Sequence, residues 1–337
     1  MHSVFFYVAS KGGNMDDDTT PFFHGRFHDV QEMVSHHPML DMTYVQLGRG
    51  HFVGELSGFP LPNGVFWRSR ANLGVVGSCE IPKGFLMVGV ATLRGDYWHD
   101  RPVAFETMVV GNSCSGLLHR TSEGHGAWVW LIRHERYLEL AETLGLKLTN
   151  FEKPQILYAI PPEPLSRLRE LIGSFFSHCG GGLLPGRAPW FETALVRSTL
   201  QCLTEREEGR VDGHTRRSRS VARDARHILH ENSSTPLCMA SLCDELKIPE
   251  RTLRAHFSEQ FDISPVSYHL HLRLNLVRRK LLLSSSYKGA VAQAATEFGF
   301  WHMGRFGQQY RSLFGESPSA TLCREASFER WTGFECP

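Results

Sequence analysis

No run of apolar residues in this chain approaches the roughly 20 that a membrane-spanning helix needs, so a transmembrane reading is excluded from the start. The early segment Val4-Phe5-Phe6-Tyr7-Val8-Ala9 is too short for a secretory hydrophobic region and follows no basic residue, which points to a cytoplasmic protein with no membrane partner. The eight cysteines, at 79, 114, 179, 202, 238, 243, 323 and 336, form no Cys-x-x-Cys pair and no zinc-finger spacing. They fit a reduced compartment better than a disulfide framework.

Metal chemistry is equally unsupported. Although the chain has 18 histidines, no His-x-His pair precedes residue 160, and the pair His269-Leu270-His271 falls in an expected helix, where residues two apart diverge. His24 and His28 are four apart but have no adjacent glutamate of the His-Glu-x-x-His kind. No catalytic or metal-binding residue is therefore assigned, and no cofactor is implied. Charge of one sign is also absent overall: 36 Lys and Arg meet 35 Asp and Glu, for a net +1. That near-neutrality hides an asymmetry, since from Arg216 onward 17 basic residues face 12 acidic ones, while the preceding part holds 19 against 23. The basic half is modest in charge, enough for phosphate contacts but not an argument for nucleic acid without a motif.

The motif is there, written twice between Ala240 and Pro318. Ala240-Ser-Leu-Cys-Asp-Glu-Leu-Lys-Ile248 has small and apolar residues at helical spacing, and after a short break Arg251-Thr-Leu-Arg-Ala-His-Phe257 opens a second helix. Ala292-Gln-Ala-Ala-Thr-Glu-Phe-Gly-Phe300 and Arg305-Phe-Gly-Gln-Gln-Tyr310 repeat the pattern. At an offset of 52, Leu242 pairs with Ala294, Cys243 with Ala295, Glu245 with Glu297, Leu246 with Phe298 and Ile248 with Phe300. One inserted residue later, Leu253 pairs with Phe306, Phe257 with Tyr310, Phe261 with Phe314, and Ser264-Pro265 with Ser317-Pro318. Each copy predicts a helix, a tight turn and a second helix, the helix-turn-helix arrangement whose second helix enters a major groove. Two copies are too few for a solenoid, which needs about three or more repeats.

These residues carry a family resemblance. Roughly Arg223 to Arg324 resembles the DNA-binding domain of the AraC/XylS family of transcription regulators, whose signature falls on Ala294, Gly299-Phe300, Phe306, Tyr310, Phe314-Gly315 and Ser317-Pro318. The resemblance implies double-stranded DNA as partner, activation through RNA polymerase, and base-reading side chains at the slots of Arg251, Arg254 and Ala255, then Met303, Gly307 and Gln308. Helical spacing sorts the same residues independently. Leu253, Phe257, Phe306 and Tyr310 face the core, which leaves Glu250, Arg251, Arg254, His302, Met303, Arg305, Gln308 and Gln309 facing out. Arginine can grip guanine and glutamine adenine with paired hydrogen bonds. Arg311 is placed for phosphate. For any one of these residues, a solvated helix face is the alternative.

The rest of the chain divides by pattern. Residues 1–20, with Gly12-Gly13-Asn14 and Asp16-Asp17-Asp18, read as a mobile tail, with Met15 as an alternative start. Residues 21–160 alternate short apolar runs with glycine and proline: Met42–Leu47, Gly64–Trp67, Leu73–Ser78, Phe85–Val90 and Phe105–Val110. That spacing predicts a β-sandwich or barrel. Leu47-Gly-Arg-Gly-His-Phe-Val-Gly-Glu-Leu56 is similar to the sensor start of the branch that contains the ethanolamine-operon regulators, and the similarity implies a cupin-like barrel. Trp67, Arg68, Trp98, Trp128 and Trp130 can line an effector pocket or simply pack the core. Residues 161–204 predict a helical hairpin with apolar stripes at Leu165, Leu168, Leu171, Ile172 and Phe175, then Phe191, Leu195, Val196, Thr199, Leu200 and Leu203. Those stripes fit either dimerisation, as the resemblance implies, or covering the barrel. Residues 205–222 read as a charged linker, 223–327 as the DNA-binding domain opening with a short helix, and 328–337 as a tail. Between the two motifs, Pro265–Leu282 predicts one long helix with Val266, Leu270, Leu274, Val277 and Leu281 inward.

The resulting expectation is an α+β multidomain chain: an N-terminal β-rich, cupin-like barrel with a helical hairpin, and a C-terminal all-α domain with tandem helix-turn-helix motifs. Its function is that of a sequence-specific DNA-binding regulator, more in line with activation than repression, with a small-molecule effector and a homodimer as partners. Two alternatives stand beside it: a cupin-type enzyme with an appended DNA-binding domain, and an effector-independent regulator controlled by abundance or a protein partner. The operator, the effector and the regulated genes are not legible.

Overall fold

The computed structural model describes residues 23–92, 96–98, 101–113, 117–146, 156–178, 187–204 and 215–324. The expected tails at 1–20 and 328–337, and residues 205–214 of the expected linker, lie outside the described residues.

The N-terminal domain is two antiparallel sheets. The larger holds seven strands in the order β1 (Phe23–Phe27), β3 (Gly54–Leu61), β4 (Gly64–Ala71), β11 (His125–Arg133), β6 (Phe85–Ala91), β9 (Thr107–Asn112) and β12 (Ile156–Ala159). The smaller has the order β2 (Asp41–Gln46), β5 (Val75–Glu80), β10 (Leu117–Arg120), β7 (Tyr97–Trp98) and β8 (Arg101–Pro102). Every one of these pairings is antiparallel, and neither strand order returns to its first strand among the described residues. The cupin-like closed barrel is therefore corrected to two open sheets face to face. The β3–β4 hairpin requires glycine at position 64, where a Cβ would stand 1.8 Å from the Leu131 carbonyl oxygen of β11. Backbone approaches that close exclude a side chain.

The outer face of the large sheet is covered by α2 (His134–Thr143), α3 (Pro162–His178) and α4 (Arg187–Thr204). The apolar stripes of α3 and α4 meet Phe59, Phe66, Val88 and Trp130 of the sheet in one core. Both stripes thus serve the second of the two burials they could satisfy, the covering of the sheet. Glu192 of α4, only 1% exposed, accepts from the Asn63 backbone N–H at 2.7 Å and from Asn63 Nδ2 at 2.8 Å, with Arg136 Nε at 3.3 Å. A buried carboxylate is tolerated because it is fully partnered in this way.

The small sheet buries apolar side chains on both faces, and the strand period of two explains how. Val75, Leu117 and Met42 point into the layer between the sheets, while their neighbours Val76, Leu118 and Val45 point the other way. That second set packs on Ala222, Leu229, Phe257, Phe261 and Tyr268 of the C-terminal domain. At about 1.5–3 kcal/mol for a fully buried aliphatic side chain, these three residues alone make the junction far more than a tether.

The C-terminal domain is all helical: α5 (Thr215–Glu231), α6 (Met239–Leu246), α7 (Glu250–Phe261), α8 (Pro265–Leu282), α9 (Ala290–Glu297), α10 (Met303–Phe314) and α11 (Pro318–Leu322). Helix α5 begins inside the segment read as linker, so the expected short opening helix is a 17-residue one. Helix α8 has the expected bounds but a different burial. Val266 is exposed, while Tyr268, His269, Leu272, Arg273, Asn275 and Arg278 are buried beside Leu274, Val277 and Leu281. The expected inward stripe did not include those residues; their burial follows because α8 lies between the two helix-turn-helix units and against β2.

Arg278 shows how such burial is sustained. Its guanidinium, 4% exposed, donates to Asp29 at the start of α1 (Val30–Ser35) and pairs with Glu316 at 2.8 Å. Glu316 also pairs with Arg324 at 2.6 Å. Asp29 in turn caps α1 by accepting from the Gln31 N–H at 2.7 Å. Asp29→Ala removes the cap and leaves a buried guanidinium short of a partner, and should destabilise the protein by about 3–5 kcal/mol, read by urea denaturation. Nearby, burial first and Asp29 second raise the Glu32 carboxyl to about 7. Its protonated form is favoured in the fold, so stability should fall as pH rises from about 4.5 toward 7. Because Glu32 is partly exposed, the effect should be only about 1 kcal/mol. Glu32→Gln should flatten that slope and raise the melting temperature at pH 8.

Candidate nucleic-acid interface

Each helix-turn-helix is built from a helix, a left-handed turn residue and a second helix. In the first, α6 ends at Lys247 with φ 54°, and Pro249 precedes α7. In the second, α9 is followed by Gly299 at φ +73°, where a Cβ would lie 2.9 Å from Arg273 Nη2 and from the Ser234 carbonyl oxygen. The tighter second turn therefore needs glycine, while the first tolerates a lysine. Arg273 braces that turn by donating from Nε to the Phe298 carbonyl at 2.7 Å and lying over the Phe300 ring at 4.3 Å. After the recognition helices the copies match again: Asp262 and Gly315 adopt the left-handed conformation, and Ser264 and Ser317 cap the next helix with their side chains before proline.

This scaffold sorts the candidate residues as helical spacing expects. Leu253, Phe257, Phe306 and Tyr310 are buried. Glu250, Arg251 and Arg254 on α7, His302 at the N-cap of α10, and Met303, Arg305, Gln308 and Arg311 on α10 are exposed. Gln309 is half-buried. The candidates form two separate groups on two recognition helices. Within the first, Arg254 donates from Nε to Glu250 at 2.7 Å, an i, i+4 pair that holds the guanidinium against the helix.

The register of the two helices adds a distinction. With Leu253 opposite Phe306, Arg251 stands opposite Gly304, Arg254 opposite Gly307, Ala255 opposite Gln308 and Glu250 opposite Met303. The slot of Arg251 therefore belongs to Gly304 rather than Met303. A Cβ at Gly304 or Gly307 would meet nothing within 4 Å, so packing does not call for glycine at either. Sequence reasoning also missed Trp301, which is 68% exposed just ahead of α10. Its signal was legible: at the offset of 52 it occupies the slot of Pro249 in the first turn.

The side chains named as pocket candidates in the N-terminal domain have separate surroundings. Trp130 is core, donating from Nε1 to the Tyr137 hydroxyl at 3.0 Å, while Trp67 is buried edge-on to the His37 ring at 5.8 Å. Trp98 stacks on His119 at 5.6 Å, Trp128 packs against the large-sheet core, and Arg68 lies over Phe176 at 4.9 Å. A cleft of about 460 Å³ opens between the two domains, lined by Gln31, Val34, His37, Tyr44, His230, Asn275, Arg279 and Leu283 among others. Burial, with His125 second, lowers the His37 pKa to about 3, so its imidazole is neutral. Among the described residues no cluster of three His, Cys, Asp or Glu side chains is placed to hold a metal ion, and no helix is long and apolar enough to cross a membrane.

Glycine inside a helix costs about 1 kcal/mol relative to alanine. Gly307→Ala, one full turn inside α10, should therefore raise the unfolding free energy by about that amount, measured by urea denaturation without DNA.

The family described as a helix-turn-helix domain matches residues 242–324. Over 94 residues the chain is 31% identical to the XylDLEGF operon transcriptional activator 2 of Pseudomonas putida, covering 28% of this chain and 60% of that protein. Over 102 residues it is 28% identical to the probable thc operon regulatory protein of Rhodococcus erythropolis, covering 30% of this chain and 31% of that one. The AraC-like transcriptional activator CuxR is similar in structure at 16% identity and a TM-score of 0.42, over 70% of this chain and 88% of that one. The chain thus spans less than two thirds of the length of these curated relatives. From Leu242 to Arg324, this chain carries the helix-turn-helix domain of the AraC/XylS family of regulators.

Proposed function

We propose that the protein is a sequence-specific DNA-binding transcription activator whose N-terminal domain senses a small molecule and whose working form is a homodimer. The observation that carries this reading is the division of each recognition helix. Its inner side chains are buried against a domain core, and its outer ones, arginine and glutamine among them, are exposed and free of that core. Arg251 and Arg254 suit guanine, Gln308 suits adenine, and each well-formed pair contributes about 1–3 kcal/mol of discrimination. Glu250 orients Arg254, His302 and Arg305 flank the second reading surface, and Arg311 neutralises phosphate. Activation fits the names of the similar proteins, and it would bring RNA polymerase in as a partner.

Two further features support the regulatory part. The interdomain cleft touches both α1 and α8, so a ligand there would act on the junction that holds the DNA-binding domain to the small sheet. Such a ligand shifts the equilibrium only by binding the two arrangements unequally. For the homodimer, Trp190 is 60% exposed on α4 and Leu138 is 46% exposed on α2, side chains that a second copy could cover. Neither belongs to the stripes that cover the large sheet, although Trp190 stacks on Phe175 of the α3 stripe at 6.4 Å.

The test is selection of genomic DNA by the purified full-length protein at a stated salt concentration, followed by sequencing. Paired half-sites, each with two boxes about one helical turn (10–10.5 bp) apart, are expected. Arg254→Ala should erase preference at one base position with the fold intact, whereas Arg311→Ala should weaken all sequences alike. Retention without any motif would reduce the interaction to charge alone and overturn the reading.

A further inference from the structure

The two recognition helices are chemically unlike. Where α7 carries Arg251 and Arg254, α10 carries Gly304 and Gly307, so the second helix has no long hydrogen-bonding side chain at those slots. Neither glycine is required by packing, since an added Cβ would meet nothing within 4 Å. What the second unit presents instead is apolar. Trp301 is 68% exposed, the most exposed large hydrophobic side chain among the described residues, and Met303 is 38% exposed. Both stand at the N-terminal end of α10, the end of a recognition helix that meets base edges. They are continuous with the exposed polar residues His302, Arg305 and Gln308 of the same surface.

Large apolar side chains left in water beside a polar reading surface point to an apolar group on the partner. On the edges that bases present in the major groove, the apolar group is the 5-methyl of thymine. Resting on the reading of the chain as a DNA-binding regulator, we infer that its second helix-turn-helix recognises thymine through the 5-methyl group, with Trp301 and Met303 as the specificity-determining contacts and the bare Gly304–Gly307 face giving the helix its close approach. The first helix-turn-helix reads by arginine hydrogen bonds. The two boxes of a half-site are therefore sensitive to different changes in the DNA.

Deoxyuridine, which pairs as thymine does but has no methyl group, isolates this contact. The operator comes from genomic selection, and the box of α10 is the one whose base preferences survive Arg254→Ala. That box should contain thymine. Replacing its thymines with deoxyuridine should weaken wild-type binding about fourfold for each contacted methyl, measured by fluorescence anisotropy, while the same replacement in the other box should change little. Trp301→Ala and Met303→Ala, both at exposed positions and checked by circular dichroism, should weaken binding to the thymine operator and lose the sensitivity to deoxyuridine. Gly307→Ala should weaken binding to either operator, an effect that a merely structural glycine would not produce. A wild-type motif whose α10 box has no thymine, or is indifferent to deoxyuridine, would overturn this inference and leave DNA recognition standing. So would Trp301→Ala and Met303→Ala variants that bind like the wild type. Failure of the wild-type protein to select any motif would overturn both.

Discussion

The small sheet with apolar side chains on both faces is the constraint from which the rest of the arrangement follows. Val75 and Leu117 hold it to the large sheet, and Val76, Leu118 and Val45 hold it to the helical domain. A strand with period-two alternation ordinarily leaves one face to water. Here adjacent residues are apolar, so each face demands cover and the helical domain supplies it. The junction is then reinforced by polar bonds across the same boundary. Asn275 of α8 exchanges hydrogen bonds with the backbone of Gln46, whose side-chain amide in turn reaches the Leu313 carbonyl at the end of α10.

Helix α8 is the element on which both helix-turn-helix units and the N-terminal domain converge. Through Arg278 it joins Asp29 of the N-terminal domain to Glu316 beyond the second recognition helix, and through Arg273 it braces the turn before that helix. Tyr268 on the same helix packs with Phe257 and Phe261 of the first. A shift of α1 or β2 against α8 would reach both recognition helices through these packed contacts. On the proposed regulatory reading, this junction is the element whose free energy both a ligand and DNA would change.

Much of this was legible in the residues. The doubled motif was readable because its signals are local: apolar residues three and four apart, a left-handed turn position, and serine before proline at the next helix start. Leu253, Phe257, Phe306 and Tyr310 came out buried for that reason. The strands at Gly64, Val75 and Phe85 were likewise announced by short apolar runs. The closed barrel was not there, because closure depends on which strands meet at the sheet edges, and no local pattern states that. Helix α5 began upstream of its expected start because its first turns are basic and polar, a composition that suits a linker as well as a solvated helix.

By itself the sequence, which named neither α1 nor α2, determined where the helices of the doubled motif and α8 lie, which side chains of each recognition helix turn inward, and that the chain reads as a DNA-binding regulator. These are consequences of short-range periodicity and turn chemistry. Only the tertiary structure decided that Arg273, Asn275 and Arg278 are interior residues. A polar side chain is buried only if partners are waiting, and the Asp29 carboxylate that meets Arg278 is 249 residues away along the chain.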